Sequence, residues 1–169
     1  MPAFNFQTRF ADAVECGTKC TTIRARNAVV GTTAHLFTGM RTKACKRLGK
    51  GVIIGCLEIT LGFKQNGSPR IYIRSKLLNE YDSQILADVE GFSDARDMVN
   101  WFKDTYKQSM HIADGGIDHF KGHLIAWIPE HLTTSANLPS KRAAKTPVAR
   151  QTTGAWDQLS TSLARIPKQ

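Results

Sequence analysis

The sequence predicts a single α+β domain, a small curved sheet or barrel with short helices at one end. Strand-like segments are separated by two consecutive segments of helical periodicity, over 78–89 and 95–106. The chain has 169 residues and is 41% hydrophobic, which is enough for one real core. Pattern alone leaves the topology open, because a ferredoxin-like or OB-like arrangement fits almost as well.

The N-terminal segments predict a short helix followed by a strand. Apolar residues over 6–14 recur at helical spacing, so the helix should end near Cys16. Gly17 then stands where the end of a helix favours a residue with positive φ. The next segment, 19–26, is rich in β-branched residues and predicts a strand. Because side chains alternate along a strand, one face should carry three polar residues: Thr22, Arg24 and Arg26.

The central part of the chain predicts a β-hairpin. A short strand over 35–39 precedes a basic loop over 41–50. The segments 52–63 and 70–75 are typical of strands, and an Asn-Gly pair at 66–67 is typical of the turn that joins such strands.

Two helices and a last strand complete the predicted domain. The first helix has an apolar stripe over 78–89 and Asn79 as its N-cap. The second begins with Ser93 as N-cap and buries a stripe over 95–106. The segment 119–128 predicts the closing strand.

The domain boundary is predicted from a change in composition. Residues 1–132 carry the periodic segments, whereas 133–169 are rich in Ser, Thr, Ala and Pro and carry six Lys or Arg against one acid. Such a segment buries too little apolar surface to offset the entropy of ordering it. We therefore predict a flexible basic C-terminal extension.

Charge predicts a polyanionic partner. The formal net charge is +9, and residues 1–50 hold nine Lys or Arg against two acids. Phosphate contacts made by such residues release condensed counterions, which favours nucleic acid. No apolar segment is long enough to span a bilayer, and the N-terminus lacks the features of a signal peptide. A cytoplasmic protein without membrane contact is expected.

The cysteines do not predict a metal site. Cys16 and Cys20 are four residues apart, but Cys45 and Cys56 form no matching pair. Four scattered cysteines are more typical of small reduced side chains. No metal or other cofactor is predicted.

One motif is specific enough to indicate a family. Gly17-x-Lys19-x-x-Thr22-x-Arg24 matches the pattern GxKxxTxR, which resembles the signature of ASCH domains, relatives of PUA domains. The segment ADVEGFSDARDMVNWF resembles the family's A-x-x-E-G-F stretch and the helix after it, and FKGHLIAWI resembles its last barrel strand. The resemblance covers most of residues 4–130. It implies a small PUA-like β-barrel of the ASCH type, flanked by short helices.

The same resemblance implies a chemistry. Some short members of the family hydrolyse the amide of N4-acetylcytidine without a metal, and their catalytic trio falls here on Lys19, Thr22 and Glu90. Amide hydrolysis needs a nucleophile, a base and positive charge beside the developing oxyanion. Lys19 would take the proton of Thr22 or stay charged beside the oxyanion, and Glu90 would pass a proton to the leaving amine.

The function expected from these observations is binding of RNA or a modified nucleoside in a basic cleft. One alternative is a metal-independent amidohydrolase of an acylated nucleoside such as N4-acetylcytidine, and a ribonuclease is less favoured. Another alternative is a protein-interaction module without enzymatic activity. Cationic residues would contact phosphate and a tyrosine would stack on a base. The candidate ligand-binding residues are Arg24, Arg26, Arg41, Lys43, Lys46, Arg47 and Tyr72. The oligomeric state stays open.

Overall fold

The computed structural model describes residues 1–106, 111–112 and 118–133. They form a mixed α+β fold in which a β-sheet carries short helices. The elements in chain order are β1 (Ala3–Phe6), a 3₁₀ turn (Thr8–Phe10), α1 (Ala11–Glu15), β2 (Thr21–Arg24), β3 (Thr33–Thr38), β4 (Lys46–Phe63), β5 (Pro69–Ile73), β6 (Lys76–Leu77), α2 (Glu80–Glu90), α3 (Ala95–Thr105), β7 (His111–Ile112), β8 (Asp118–Pro129) and α4 (Glu130–Thr133).

The long strand β4 organises the sheet. Its first part pairs with β3, most of its length pairs with β8, and its last residues pair with β5, all antiparallel. On one side β1 adds to β3 as a parallel strand, and on the other β2 adds to β8 as an antiparallel strand. β1 and β2 are therefore two ends of one pleated surface that curves around the core.

The sheet is not closed, so the β-barrel that the family resemblance implies is not formed, whereas the curved sheet with short helices fits the pattern. In the described ranges no backbone ladder joins β1 to β2. The Arg24 side chain lies between them instead, and its Nη2 donates a hydrogen bond to the Asn5 carbonyl oxygen at 2.8 Å. The guanidinium also lies over the rings of Phe4 and Phe6, at 5.6 and 5.1 Å. A side chain thus occupies the place where strand pairing would close a barrel.

Two apolar clusters pack on opposite faces of the sheet, since the adjacent β8 residues Leu124 and Ile125 belong to different clusters. The larger packs α2 and α3 onto β4, β5 and β8, with Leu61, Leu86 and Met98 fully buried. The smaller surrounds Trp127 with residues of β1, α1 and β3. The larger cluster contains Ala87 of α2 and Ile23 of β2, so it packs these two elements against each other.

Several predicted elements are confirmed. Gly17 ends the first helical turn with φ +78°. Asn79 caps α2 by accepting a hydrogen bond from the Asp82 amide, and the hairpin turn contains Gly67 with φ +76°. The second helix is confirmed with a different cap, since Asp94 rather than Ser93 accepts from the Asp97 amide.

Three boundaries differ from the prediction. Residues 3–6 form a strand rather than part of the first helix, because Phe4 and Phe6 alternate inward with period two. β4 begins at Lys46, so the basic loop shrinks from 41–50 to 41–45. β2 ends at Arg24, and Arg26 lies in an exposed bend instead of sharing a strand face with Thr22.

Residues 134–169 lie outside the described ranges, so the flexible extension stays a prediction. None of the helices within those ranges has the length and apolar character that crossing a bilayer requires.

Candidate functional site

The start of β2 and the end of α2 hold the predicted trio. Lys19 follows the Gly17 turn, where its amide donates to the Ala13 carbonyl at 2.8 Å and fixes the entry into β2. Thr22 lies on β2, and Glu90 is the last residue of α2. All three side chains are buried and line one pocket.

Lys19 and Glu90 form a buried ion pair. The Lys19 Nζ lies 2.9 Å from Glu90 Oε2, and the two residues are only 6% and 4% exposed. Nζ also donates to the Glu90 carbonyl at 3.0 Å and to the Val89 carbonyl at 3.4 Å. Three acceptors match the three N–H donors of an ammonium group, and two of them are carbonyls at the C-terminal end of α2. The amine is thus fully used as a donor.

A left-handed glycine sets the position of Glu90. Gly91 has φ +81°, and its N–H closes the last turn of α2 onto the Ala87 and Asp88 carbonyls. A Cβ at this position would lie 2.8 Å from Cε1 of Phe10. Only glycine accepts both the backbone angle and the close approach of this ring without strain.

The pocket is small, partly open and walled by rings. Its cavity volume is about 60 Å³, below the range of about 300–1,000 Å³ that is usual for ligand sites, and it is partly open to solvent. Its polar lining includes Asn5, Lys19, Thr22, Arg24 and Glu90. Its aromatic lining comes from β1, the 3₁₀ turn, the residue after Gly91 and α3: Phe6, Phe10, Phe92, Trp101, Phe102 and Tyr106.

Two buried polar atoms of the pocket have no partner in the described part of the chain. They are Oε1 of Glu90, an acceptor, and Nε of Arg24, a donor. A buried polar atom without a hydrogen bond is costly, so native proteins rarely leave one unsatisfied unless water or a ligand fills the place. The pocket therefore offers one acceptor and one donor to whatever enters it.

Burial shapes the electrostatics around β2. It lowers the pKa of Arg24, while the nearby Tyr106 and Glu90 act in the opposite direction. Burial also raises the pKa of the Cys20 thiol to about 11, partly opposed by Lys19. Cys20 is consequently a protonated thiol near neutral pH, and it donates to the Gly17 carbonyl at 3.1 Å.

The other predicted ligand-binding residues lie elsewhere. Of the described side chains that line the pocket, none belongs to this group: Arg26, Arg41, Lys43, Lys46, Arg47 and Tyr72. Lys46 pairs with Glu15 at 2.7 Å, Arg47 contacts His35 Nδ1 at 3.2 Å, and Tyr72 accepts from Arg70.

Sequence reasoning missed most of the pocket walls. The helical spacing over 95–106 predicts that Trp101 and Tyr106 lie in the core rather than serve as stacking rings. Both are half-buried; they pack against the larger apolar cluster and also line the pocket. Phe92 was also missed; its ring is buried and packs against the rings of Trp101 and Phe102. Asn5 lies on β1, which was not predicted as a strand.

The chemistry available in the pocket is recognition and proton transfer by side chains. The four cysteines are free thiols. Within the described ranges no group of three or more His, Cys, Asp and Glu residues is placed to hold a metal ion.

No family model, no curated protein and no solved structure matches this chain.

Proposed function

We propose that the chain is an ASCH-type, PUA-like domain that binds RNA or a modified nucleoside, with one base in the Lys19–Glu90 pocket. The observation that carries the proposal is the meeting of Lys19 with Glu90, 71 positions apart in sequence, in one pocket with Thr22 and Arg24. These residues come from the two segments that resemble the family. The cytoplasmic location remains a prediction.

The pocket has the chemistry that an unstacked base needs. Proteins recognise such bases by stacking on aromatic side chains and by hydrogen bonds to the base edge. The aromatic residues that line the pocket, among them Phe92, Trp101 and Tyr106, supply rings on which a base can stack. Oε1 of Glu90 would accept from an exocyclic amine, and Nε of Arg24 would donate to a carbonyl or ring nitrogen. A base with a donor beside an acceptor fits this pair of atoms.

Titration calorimetry with cytidine, N4-acetylcytidine and uridine tests the proposal. Thr22→Val should weaken binding of the preferred nucleoside about fivefold or more, as expected for one lost hydrogen bond. Thr21→Val is the matched control, because Thr21 is equally buried on the same strand but does not line the pocket. If the wild-type protein binds neither these nucleosides nor single-stranded RNA, or both variants weaken binding equally, the proposal fails.

A metal-independent amidohydrolase is the second candidate, favoured by the shared pocket of an amine, a hydroxyl and a carboxylate. Because all donors of Lys19 are engaged, Glu90 Oε1 is the better proton acceptor. Thr22 Oγ1 would add to the acyl carbon as its proton passes to Glu90. The C–N bond would then break as Glu90 returns the proton to the leaving amine. Water would hydrolyse the acyl-threonine and release acetate.

Chromatography of protein incubated with N4-acetylcytidine separates the two candidates. An enzyme would release cytidine and acetate in equal amounts, and Thr22→Val and Glu90→Gln would lose turnover while Thr21→Val kept it. Wild-type protein that binds the nucleoside without releasing cytidine would be a binding module. Fragment analysis of labelled RNA, with the same variants, covers ribonuclease activity.

A further inference from the structure

A second surface suited to nucleic acid lies on the outer face of β3 and β4. β3 alternates regularly: Ala34, Leu36 and Thr38 are buried, whereas His35 and Phe37 are only half-buried and point outward. The two outward rings are stacked, with centroids 6.4 Å apart and planes 22° apart.

A β-bulge brings cations to the same face. Phe37 pairs with Arg47 and Leu36 pairs with Gly49, so Leu48 is an extra residue on β4. Leu48 turns inward and is buried, which leaves Arg47 and Lys50 both outward beside the β3 rings. The Arg47 guanidinium contacts the His35 ring at 3.2 Å.

The basic loop after β3 is fixed beside these rings. The Thr42 hydroxyl donates to the Gly39 carbonyl at 2.7 Å, and the Met40 amide donates to Asn5 Oδ1 at 3.0 Å. Arg41 and Lys43 are exposed on this loop. The loop is thus tied to a residue that also lines the pocket.

Asn5 connects the outer face with the pocket. It is exposed on β1, where it pairs with Phe37 of β3, and it is one of the residues that line the pocket. A ligand that lay across Phe37 would therefore reach the pocket past Asn5 without leaving the surface.

The charges of this face are mostly uncompensated. Lys50 pairs with Glu130 at 3.5 Å. In the described part of the chain, no carboxylate forms an ion pair with Arg41, Lys43 or Arg47. Free cations beside stackable rings are the combination that single-stranded nucleic acid requires, because phosphates take the cations and bases take the rings.

We infer that this surface is a docking track for single-stranded RNA, with bases on His35 and Phe37 and phosphates on Arg41, Lys43 and Arg47. The strand continues past Asn5 and places one base in the pocket. The inference rests on the proposed function for the identity of the ligand and for the base in the pocket. Alternating charge and rings favour a flexible single strand over a duplex, whose bases are stacked internally.

Fluorescence anisotropy with a short labelled single-stranded RNA tests the track. Phe37→Leu keeps an apolar side chain but removes the ring, and it should weaken RNA binding about tenfold, as base–aromatic stacking predicts. Arg47→Gln, at an exposed position, should reduce the slope of log affinity against log salt by about 0.7, the value for one single-strand phosphate contact. Both variants should bind nucleoside as the wild type does.

The chain contains a matched control. On β5, outside the proposed track, the Arg70 guanidinium lies over the Tyr72 ring at 5.0 Å. Tyr72→Leu and Arg70→Gln therefore remove an aromatic ring and a cation, as Phe37→Leu and Arg47→Gln do within the track. These variants should leave RNA affinity unchanged. Equal losses from both pairs would overturn the track, as would preference for duplex RNA over the single strand.

The outcomes separate the track from the pocket. Unchanged RNA affinity in Phe37→Leu and Arg47→Gln, with nucleoside binding intact, would remove the track and leave the proposed function standing. Failure of the wild type to bind either nucleoside or RNA would remove both. Thermal melts of each variant show whether a loss of affinity reflects a loss of folding.

Discussion

The Nζ of Lys19 lies 2.9 Å from Oε2 of Glu90. This ion pair connects the residues just before β2 with the last residue of α2. Taking both charges out of water costs several kcal/mol each, about what their attraction and added hydrogen bonds return. The pair therefore adds little net stability. It makes the relative placement of α2 and β2 depend on both charges being present.

Removing one member of the pair should be far worse than removing both. Lys19→Met leaves a buried carboxylate without its cation and should lower the free energy of unfolding by about 3–5 kcal/mol. Lys19→Met/Glu90→Leu should recover most of that loss, since no buried charge remains. Urea unfolding curves of both single variants and the double variant measure the coupling.

The exposed pair of Lys46 and Glu15 is the control for this cycle. These side chains are 58% and 45% exposed, so Lys46→Met should leave the unfolding midpoint unchanged. A Lys19→Met variant that is as stable as Lys46→Met would show that the buried pair has no such role.

Gly91 should be replaceable only at a high cost. Its positive φ strains any residue with a side chain, and an added Cβ would meet the Phe10 ring at 2.8 Å. Gly91→Ala should therefore destabilise by about 3 kcal/mol, the sum of left-handed strain and overpacking. Gly67 has nearly the same φ with open space around it, so Gly67→Ala should cost only about 1 kcal/mol. Equal losses in urea unfolding would mean that the Phe10 contact is unimportant.

Local patterns predicted the elements whose signals are local. Gly17 and Asn79 carry out the helix-end roles expected from their positions, and the Asn-Gly turn forms the β4–β5 hairpin. β1 escaped prediction because it is four residues long and its pairing partner, β3, is about thirty positions away in sequence. An isolated pair of alternating phenylalanines does not outweigh a helical spacing that begins at Phe6.

Strand alternation predicted the site only along β2, and Glu90 was assigned from the family resemblance. Thr22 and Arg24 share a face as expected, but Arg26 does not, since β2 ends before it. No local pattern places Glu90 beside Lys19, because that contact depends on how α2 docks onto the sheet. Local patterns also gave no sign that the sheet would stay open. The Arg24 side chain links β2 to the Asn5 carbonyl of β1 by a hydrogen bond, which is a long-range contact.

Arg24 should hold the open edge of the sheet. Arg24→Met removes the charged hydrogen bond to the Asn5 carbonyl and should lower the free energy of unfolding by about 2 kcal/mol. The loss should be concentrated at β1, so its amides should exchange with solvent faster than those of β8. Arg26→Met, at an exposed bend two positions on, should change neither quantity. Uniformly faster exchange across the sheet would contradict a local role for Arg24.

Cys20 should be the least reactive of the accessible thiols, with a definite pH dependence. The pKa of the Cys20 thiol is about 11, whereas that of an ordinary cysteine is 9.0. At pH 8 the thiolate fraction of Cys20 is therefore about a hundredfold smaller than that of an unperturbed cysteine. Mass spectrometry of partly alkylated protein should therefore show Cys16 and Cys45, both exposed, modified long before Cys20. The Cys20 thiol keeps its proton more tightly in the folded state, with a pKa of about 11, than in the unfolded state, with a pKa of 9.0. Its contribution to the free energy of unfolding is therefore complete below pH 9 and is lost as pH rises toward 11. Cys20→Ala should flatten the fall in urea midpoint over that window, and rapid alkylation of native Cys20 at pH 8 would contradict the assignment.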